Sequence, residues 1–197
     1  MTHSVDSTWE RIVAWLRTHT PVSAAHLGPP AVDKDIAVVE ALLGRSLPTD
    51  LLAWWRHSCG VTGFVGSRVI PPRYAPYMVD EAVDCREGML EAASCEDDAE
   101  TAVLLAEPAG SPCTPYWLPL WLPIAHDGGG NYLFADLRSG PLTGCIMQWD
   151  EDEAAVTEPS WPSTAAMLAE IADALERGTD IEGYQPDARD DGTLDWV

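Results

Sequence analysis

Lysine is nearly missing from this chain. Lys34 is the only one, and 11 Lys plus Arg face 32 Asp plus Glu, a formal net charge of −21. Such a chain repels phosphate, because nucleic-acid affinity rests on Lys and Arg displacing condensed counterions. Anionic lipid is excluded on the same ground. Long apolar runs are missing too: no stretch approaches the ~18 residues of a membrane helix. The N-terminus, MTHSVDSTWERIV, lacks a basic segment followed by an apolar one, so no signal peptide is read and a cytoplasmic location is expected. The five cysteines (Cys59, Cys85, Cys95, Cys113 and Cys145) are odd in number, and no two have C-x-x-C spacing. That pattern suggests neither a disulfide framework nor a zinc knuckle, and reduced, mostly buried thiols fit it. Internal repeats and low-complexity tracts are also lacking.

Catalytic patterns are equally scarce. No serine sits in G-x-S-x-G. His57 and Cys59 share a helical stretch at i and i+2, which points them to different faces. His126–Asp127–Gly128–Gly129–Gly130–Asn131 has the glycines of a phosphate loop. It lacks the following Lys–Ser/Thr, and a strand pattern follows where a phosphate loop needs a helix. A metal-dependent hydrolase built on His126, Asp127 and Asp136, with Asp150 as a fourth donor, is the catalytic alternative, since carboxylates and an imidazole hold hard cations. The plainer reading is a turn whose Asp and Asn hydrogen-bond to backbone, setting the register of a strand over 132–137. Asp150–Glu151–Asp152–Glu153 lacks the spacing of a calcium loop. No cofactor and no metal are expected. The pairs Trp54–Trp55 and Trp117–Trp121 read as core, because a base-stacking platform needs basic residues between its aromatics.

What is present is ample apolar material. Hydrophobic residues make up 46% of 197, enough for one full-sized core, and a single domain over 1–197 is expected. Trp9, Ile12, Val13 and Leu16 share a helical face, with Ser7 and Glu10 spaced as a capping box. Ile36, Val39 and Leu43 repeat that spacing up to Gly44. After Pro48, Leu51, Leu52, Trp55 and Cys59 form a third face. Phe64, Val65, Val69 and Ile70 predict a short strand. The acidic stretch 80–100 is open between a weakly patterned helix and a partly ordered loop, and TAVLLAE after it reads as a buried strand. NYLFADL and CIMQW, joined by RSGPLTG, predict a hairpin. Met167, Leu168, Ile171 and Leu175 form a last helical stripe between Ser163 and Gly178, and Leu194 and Trp196 suggest an edge strand. Leu51, Trp55, Phe134, Ile146, Leu168 and Ile171 are expected in one core.

Four segments in this order carry a family resemblance: PPAVDKDIAVVEALLGRSLPTDLLAWW, IPPRYAP, WLPIAHDGGGNYLFADLRSGPLTGCIMQWDED and the SW-x-S helix. Together they resemble the SUKH superfamily, the family of the fungal cell-wall assembly regulator and of many bacterial immunity proteins. The resemblance spans roughly residues 9–178. The matching positions include Gly44, Leu47, Pro48, Trp121, Pro123, Ile124, Asp127, Gly128, Gly130, Asn131, Asp136 and Gly144. It implies an α+β fold, with N-terminal helices and a C-terminal helix packed on a central twisted, mixed or antiparallel sheet. It also implies protein binding without catalysis: an immunity-type protein that neutralises a partner toxin such as a nuclease, or a regulatory adaptor with no toxin.

Partner contacts are not transferable along the resemblance, so they rest on charge and aromaticity. Opposite net potentials speed encounter, and the acidic clusters Glu96, Asp97, Asp98, Glu100 and Asp150, Glu151, Asp152, Glu153 suit a basic protein partner. Composition taken alone favours the plainer reading, in which acidity only keeps the protein soluble. Exposed aromatics anchor interfaces, and Tyr74, Tyr77 and Trp117 are the candidates.

Overall fold

In a computed structural model, the structure describes residues 4–63, 68–93, 98–112, 116–150 and 158–197, the side chain of Asp98 excepted. Helix α1 (Val5–His19) starts a turn earlier than Ser7 and Glu10 suggested. Ser4 is the cap, its hydroxyl accepting from the Ser7 amide at 3.2 Å, and Ser7 lies inside the helix. The reason is Val5, which is buried and extends the apolar stripe of Trp9, Ile12 and Leu16 back by one turn. Pro21, at a first helical position, opens the short α2 (Pro21–Ala25). Helix α3 (Asp33–Leu43) buries Ile36, Val39 and Leu43 and ends at left-handed Gly44; α4 (Thr49–His57) follows Pro48 and buries Leu51, Trp54 and Trp55.

The middle of the chain departs from expectation. Val69 and Ile70 are buried but form no strand. Ile70 makes one bridge to Tyr74 across the double proline, and Phe64 and Val65 lie outside the described residues. The strand there is the two-residue β1 (Ala75–Pro76). The open stretch 80–100 is largely helix: α5 (Val79–Ala92) is followed by α6 (Asp98–Ala106). TAVLLAE therefore belongs to a helix and not to a buried strand, and Val103 within it is 64% exposed. A short continuous apolar run does not separate the two states, and Ala and Leu favour helix.

Strands β2 (Trp121–His126), β3 (Tyr132–Asp136) and β4 (Cys145–Trp149) join β1 in an antiparallel sheet of order β1-β2-β3-β4. The fold is thus α+β. Pro123 cannot donate to the ladder, and the register shifts at that point, with Pro123 opposite Phe134 and Ala125 opposite Leu133. Gly144, at φ 88°, leads into β4, and a Cβ there would come within 2.6 Å of the Pro48 ring. Two residues of the resemblance thus meet, and only glycine fits.

Side chains alternate across the sheet and build two clusters. Leu122, Ile124, Leu133, Ala135 and Ile146 join the helices α1, α3, α4 and α7 (Thr164–Arg177). Trp121, Phe134, Cys145, Met147 and Trp149 face the other way, against Trp117, Leu118 and residues of α5 and α6. Phe134 therefore does not share a core with Leu51, Trp55, Ile146, Leu168 and Ile171, because the two-residue strand period turns it from Leu133 and Ala135. Ser163 caps α7 by accepting from the Ala166 amide, and Gly178 ends it. The tail strand β6 (Leu194–Trp196) pairs with β5 (Pro186–Ala188) in a separate ribbon, so it is no edge of the central sheet. Its Leu194 and Trp196 enter the larger core, and the Gly192 carbonyl accepts from the Val22 amide at the start of α2.

Candidate functional site

The hairpin β2–β3 carries the expected site residues, and it splits them between its ends. At the turn, Asp127 is held as an acceptor. Its Oδ1 takes the Gly129 amide at 2.7 Å and the Asn131 amide at 3.1 Å, and its Oδ2 takes the Asn131 side-chain amide at 2.8 Å. Burial alone would raise its pKa. The hydrogen bonds from Gly129 and Asn131 outweigh that and leave it below the usual carboxylate value. Beside it the His126 ring stacks on Tyr77 at 4.5 Å, and burial pushes its pKa down against the opposing charges of Glu81 and Asp127.

At the other end Asp136 is fully buried with Arg138. The guanidinium donates to it through Nε and Nη2, the latter at 2.7 Å, and both side chains are 0% exposed. The pair is bonded to the backbone around it in turn. The Gly110 amide donates to Asp136 at 2.9 Å, and Arg138 donates to the carbonyls of Leu104 and Ser111. Asp136 thus ties α6 and the following loop to the sheet, as a buried charge must be tied to be tolerated.

This splits the proposed metal trio. His126 pairs with Tyr132 in the ladder, and Asp136 lies four residues further along β3, about 14 Å at ~3.4 Å per residue. Asp127 is spent on its own turn and Asp136 on Arg138. Among the described residues no group of three or more His, Cys, Asp or Glu could hold a metal ion. Cys59 and Cys145 are free and buried, and burial pushes each thiol up to about 12, so both are protonated near neutrality.

The aromatic candidates need correction. Tyr74 and Trp117 are each 2% exposed, so neither is a surface anchor. Trp117 sits in the second cluster and donates its indole N–H to the Trp121 carbonyl; Tyr74 is packed beneath the Pro-rich turn beside Ala75. Tyr77 is half-buried against His126. Among the described residues the exposed aromatic is Tyr184, at 40%, on the C-terminal segment. Of the acidic candidates, Glu100 is exposed on α6, Asp98 begins that helix, and Asp150 is half-buried after β4. Glu96, Asp97, Glu151, Asp152 and Glu153 lie outside the described residues.

Residues 30–170 match the model of the SMI1/KNR4 family (SUKH-1). The chain belongs to that family. No curated protein sequence matches the chain. At family level this is a module of the immunity and regulatory kind. The segment matched contains the whole hairpin, both aspartates and the Gly144–Pro48 contact. Among the described residues no helix is long and apolar enough to cross a membrane. Sequence reading passed over Arg138 altogether. Its signal was slight: an Arg two residues after a strand Asp, in a chain with few cations.

Proposed function

We propose that the chain is a protein-binding module of the immunity type, which docks on a basic partner such as a toxin domain and silences it by occupancy, without a reaction of its own. Membership of the SUKH-1 family over residues 30–170 carries this reading. The net charge of −21 supports it, since a basic partner is steered toward such a surface. The geometry of the hairpin is in keeping with it, because the carboxylates that a hydrolytic site would need are engaged in holding a turn and a buried pair.

The test is affinity capture from the native host at low and high salt, followed by co-expression with whatever is captured. A basic protein domain should be retained at low salt and partly released at high salt, and its growth inhibition should be relieved by this chain. A partner that is not inhibitory would point to an adaptor. Capture that is indifferent to salt, or turnover of generic ester or phosphoester substrates that Asp127→Asn abolishes, would overturn the reading.

A further inference from the structure

We propose that the cleft at the turn end of the β2–β3 hairpin takes a single carboxylate, an acidic side chain or a chain terminus presented by the protein partner, and that Arg68 and Arg73 hold it. The proposal rests on the reading of a protein-binding module given above. It assigns that module one local contact opposite in sign to its overall charge, which a partner that is basic as a whole can still supply.

The cleft measures about 560 Å³ and lies between the Pro-rich turn, the 127–131 turn and Tyr184 of the C-terminal segment. Arg68 precedes the double proline and Arg73 follows it, so the Pro-rich turn brings both to the same cleft. Among the described residues that line it, the one carboxylate is Asp127, and that is already committed. Its Oδ1 accepts from the amides of Gly129 and Asn131, and its Oδ2 from the Asn131 side chain. The lining is therefore net positive, in a chain whose formal net charge is −21.

With 32 acidic residues against 11 Lys plus Arg, an arginine in this chain has carboxylates close at hand. Arg11, Arg56, Arg138, Arg177 and Arg189 each pair with one. Arg73 is exposed and makes no ion pair among the described residues, although Asp127 lines the same cleft. Its planar fork of N–H donors matches the two oxygens of an incoming carboxylate. Arg68 is half-buried, so water screens its charge less than that of an exposed side chain. Gln148 adds an amide donor, and Pro72 with the partly exposed ring of Tyr184 offers apolar walls for the methylenes of an acidic side chain. Charges beyond the lining set the limit. Asp150 and Glu182 act on the buried Tyr74 hydroxyl and oppose a second negative charge. The fit is to one carboxylate, and a phosphate dianion or an acidic run is disfavoured.

The test is a titration of the full-length, isotopically labelled protein at constant ionic strength, followed by amide chemical shifts. The probes are acetyl-glutamate amide, acetyl-alanine, the neutral acetyl-glutamine amide, acetyl-arginine amide and inorganic phosphate. A carboxylate probe should shift the amides of Arg73, Gly128, Gly129, Gln148 and Tyr184 in a saturable way, with at least several-fold preference over the glutamine probe. Tighter binding of acetyl-glutamate amide identifies the source as an acidic side chain, and tighter binding of acetyl-alanine identifies a chain terminus. Arg68→Gln should weaken binding by about tenfold, as for losing one hydrogen bond between charged groups. Arg73→Gln, at an exposed site where the fold is not at stake, should weaken it by about threefold. Equal binding of the glutamine probe, preference for the arginine probe or for phosphate, no saturable shift, or undiminished binding by Arg73→Gln would each overturn the proposal. Partner capture keeps the two readings apart. If capture succeeds and the Arg68→Gln, Arg73→Gln double variant binds the partner as tightly as wild type, the cleft assignment fails while the binding module stands. If no partner is captured, the module reading fails, and the carboxylate pocket is decided by the titration alone.

Discussion

The two ends of the β2–β3 hairpin use the same residue type in opposite ways. Asp127 keeps contact with solvent and gives its oxygens to local amides. Asp136 is sealed at 0% exposure and bonds a guanidinium that is sealed with it. At the turn end, losing the carboxylate would loosen one loop beside an open cleft. At the sealed end, losing either partner strands a charge where water does not reach. One aspartate serves a surface and the other serves a junction, and the difference lies in what packs above them. The turn end faces a cleft, whereas the sealed end lies under α6 and the loop carrying Gly110 and Ser111.

The largest expected effect attacks the sealed end. Arg138→Met leaves Asp136 buried and unpaired and should cost about 3–5 kcal/mol in denaturant unfolding. Adding Asp136→Leu should return part of that loss, because an apolar pair needs no counter-charge, while the amide of Gly110 and the carbonyls of Leu104 and Ser111 stay short of partners. If Arg138→Met were as stable as wild type, the pair would not be the junction described.

Next come the two apolar clusters on either side of the sheet. Phe134→Ala, in the aromatic cluster, should cost about 3–5 kcal/mol and Leu168→Ala, in the larger core, about 2–5 kcal/mol. Side chains in separate clusters should add in the double mutant to within about 0.5 kcal/mol. Strong non-additivity would mean that the sheet does not separate the clusters.

The smallest effect belongs to the turn end. Asp127→Asn removes charge-assisted bonds at a partly exposed site and should cost on the order of 1 kcal/mol at neutral pH. The folded-state pKa of Asp127 is depressed. Its contribution is therefore present above the unfolded value of about 4 and fades as pH falls through the lower folded value. The stability gap between wild type and Asp127→Asn should accordingly narrow in acid. A gap that stayed constant down to the acid limit would show that the carboxylate's charge has no part in holding the turn.

The ends of the chain were easier to read than its middle. Helices α1, α3, α4 and α7 each bury one stripe against one core, and the hairpin of β3 and β4 announced itself by apolar runs around a Gly-rich turn. Helix α5 serves two clusters: Val79 and Ala82 are buried at its start, Val83 packs against the larger core, and Met89 and Leu90 pack against the aromatic cluster. No single stripe results, and the stretch could not be told from a loop. Tyr74 and Trp117 stand in Pro-rich segments whose burial depends on elements distant in sequence. The Asp127 turn was legible because its hydrogen bonds close within five residues. The Asp136–Arg138 pair was only half legible, because its remaining partners lie 26 to 34 residues away.

The most direct test of a basic partner drawn to an acidic module is kinetic. With the captured partner in hand, association and dissociation rate constants should be measured at two salt concentrations for wild type and for a variant with Asp97, Asp98, Asp150 and Asp152 all changed to Asn. The expected result is an association rate that falls with salt and with neutralisation, while dissociation barely moves, as for rim charges screened over about 8 Å at physiological strength. Unchanged rate constants and an unchanged salt slope would contradict it, and the acidity of the chain would then serve solubility alone.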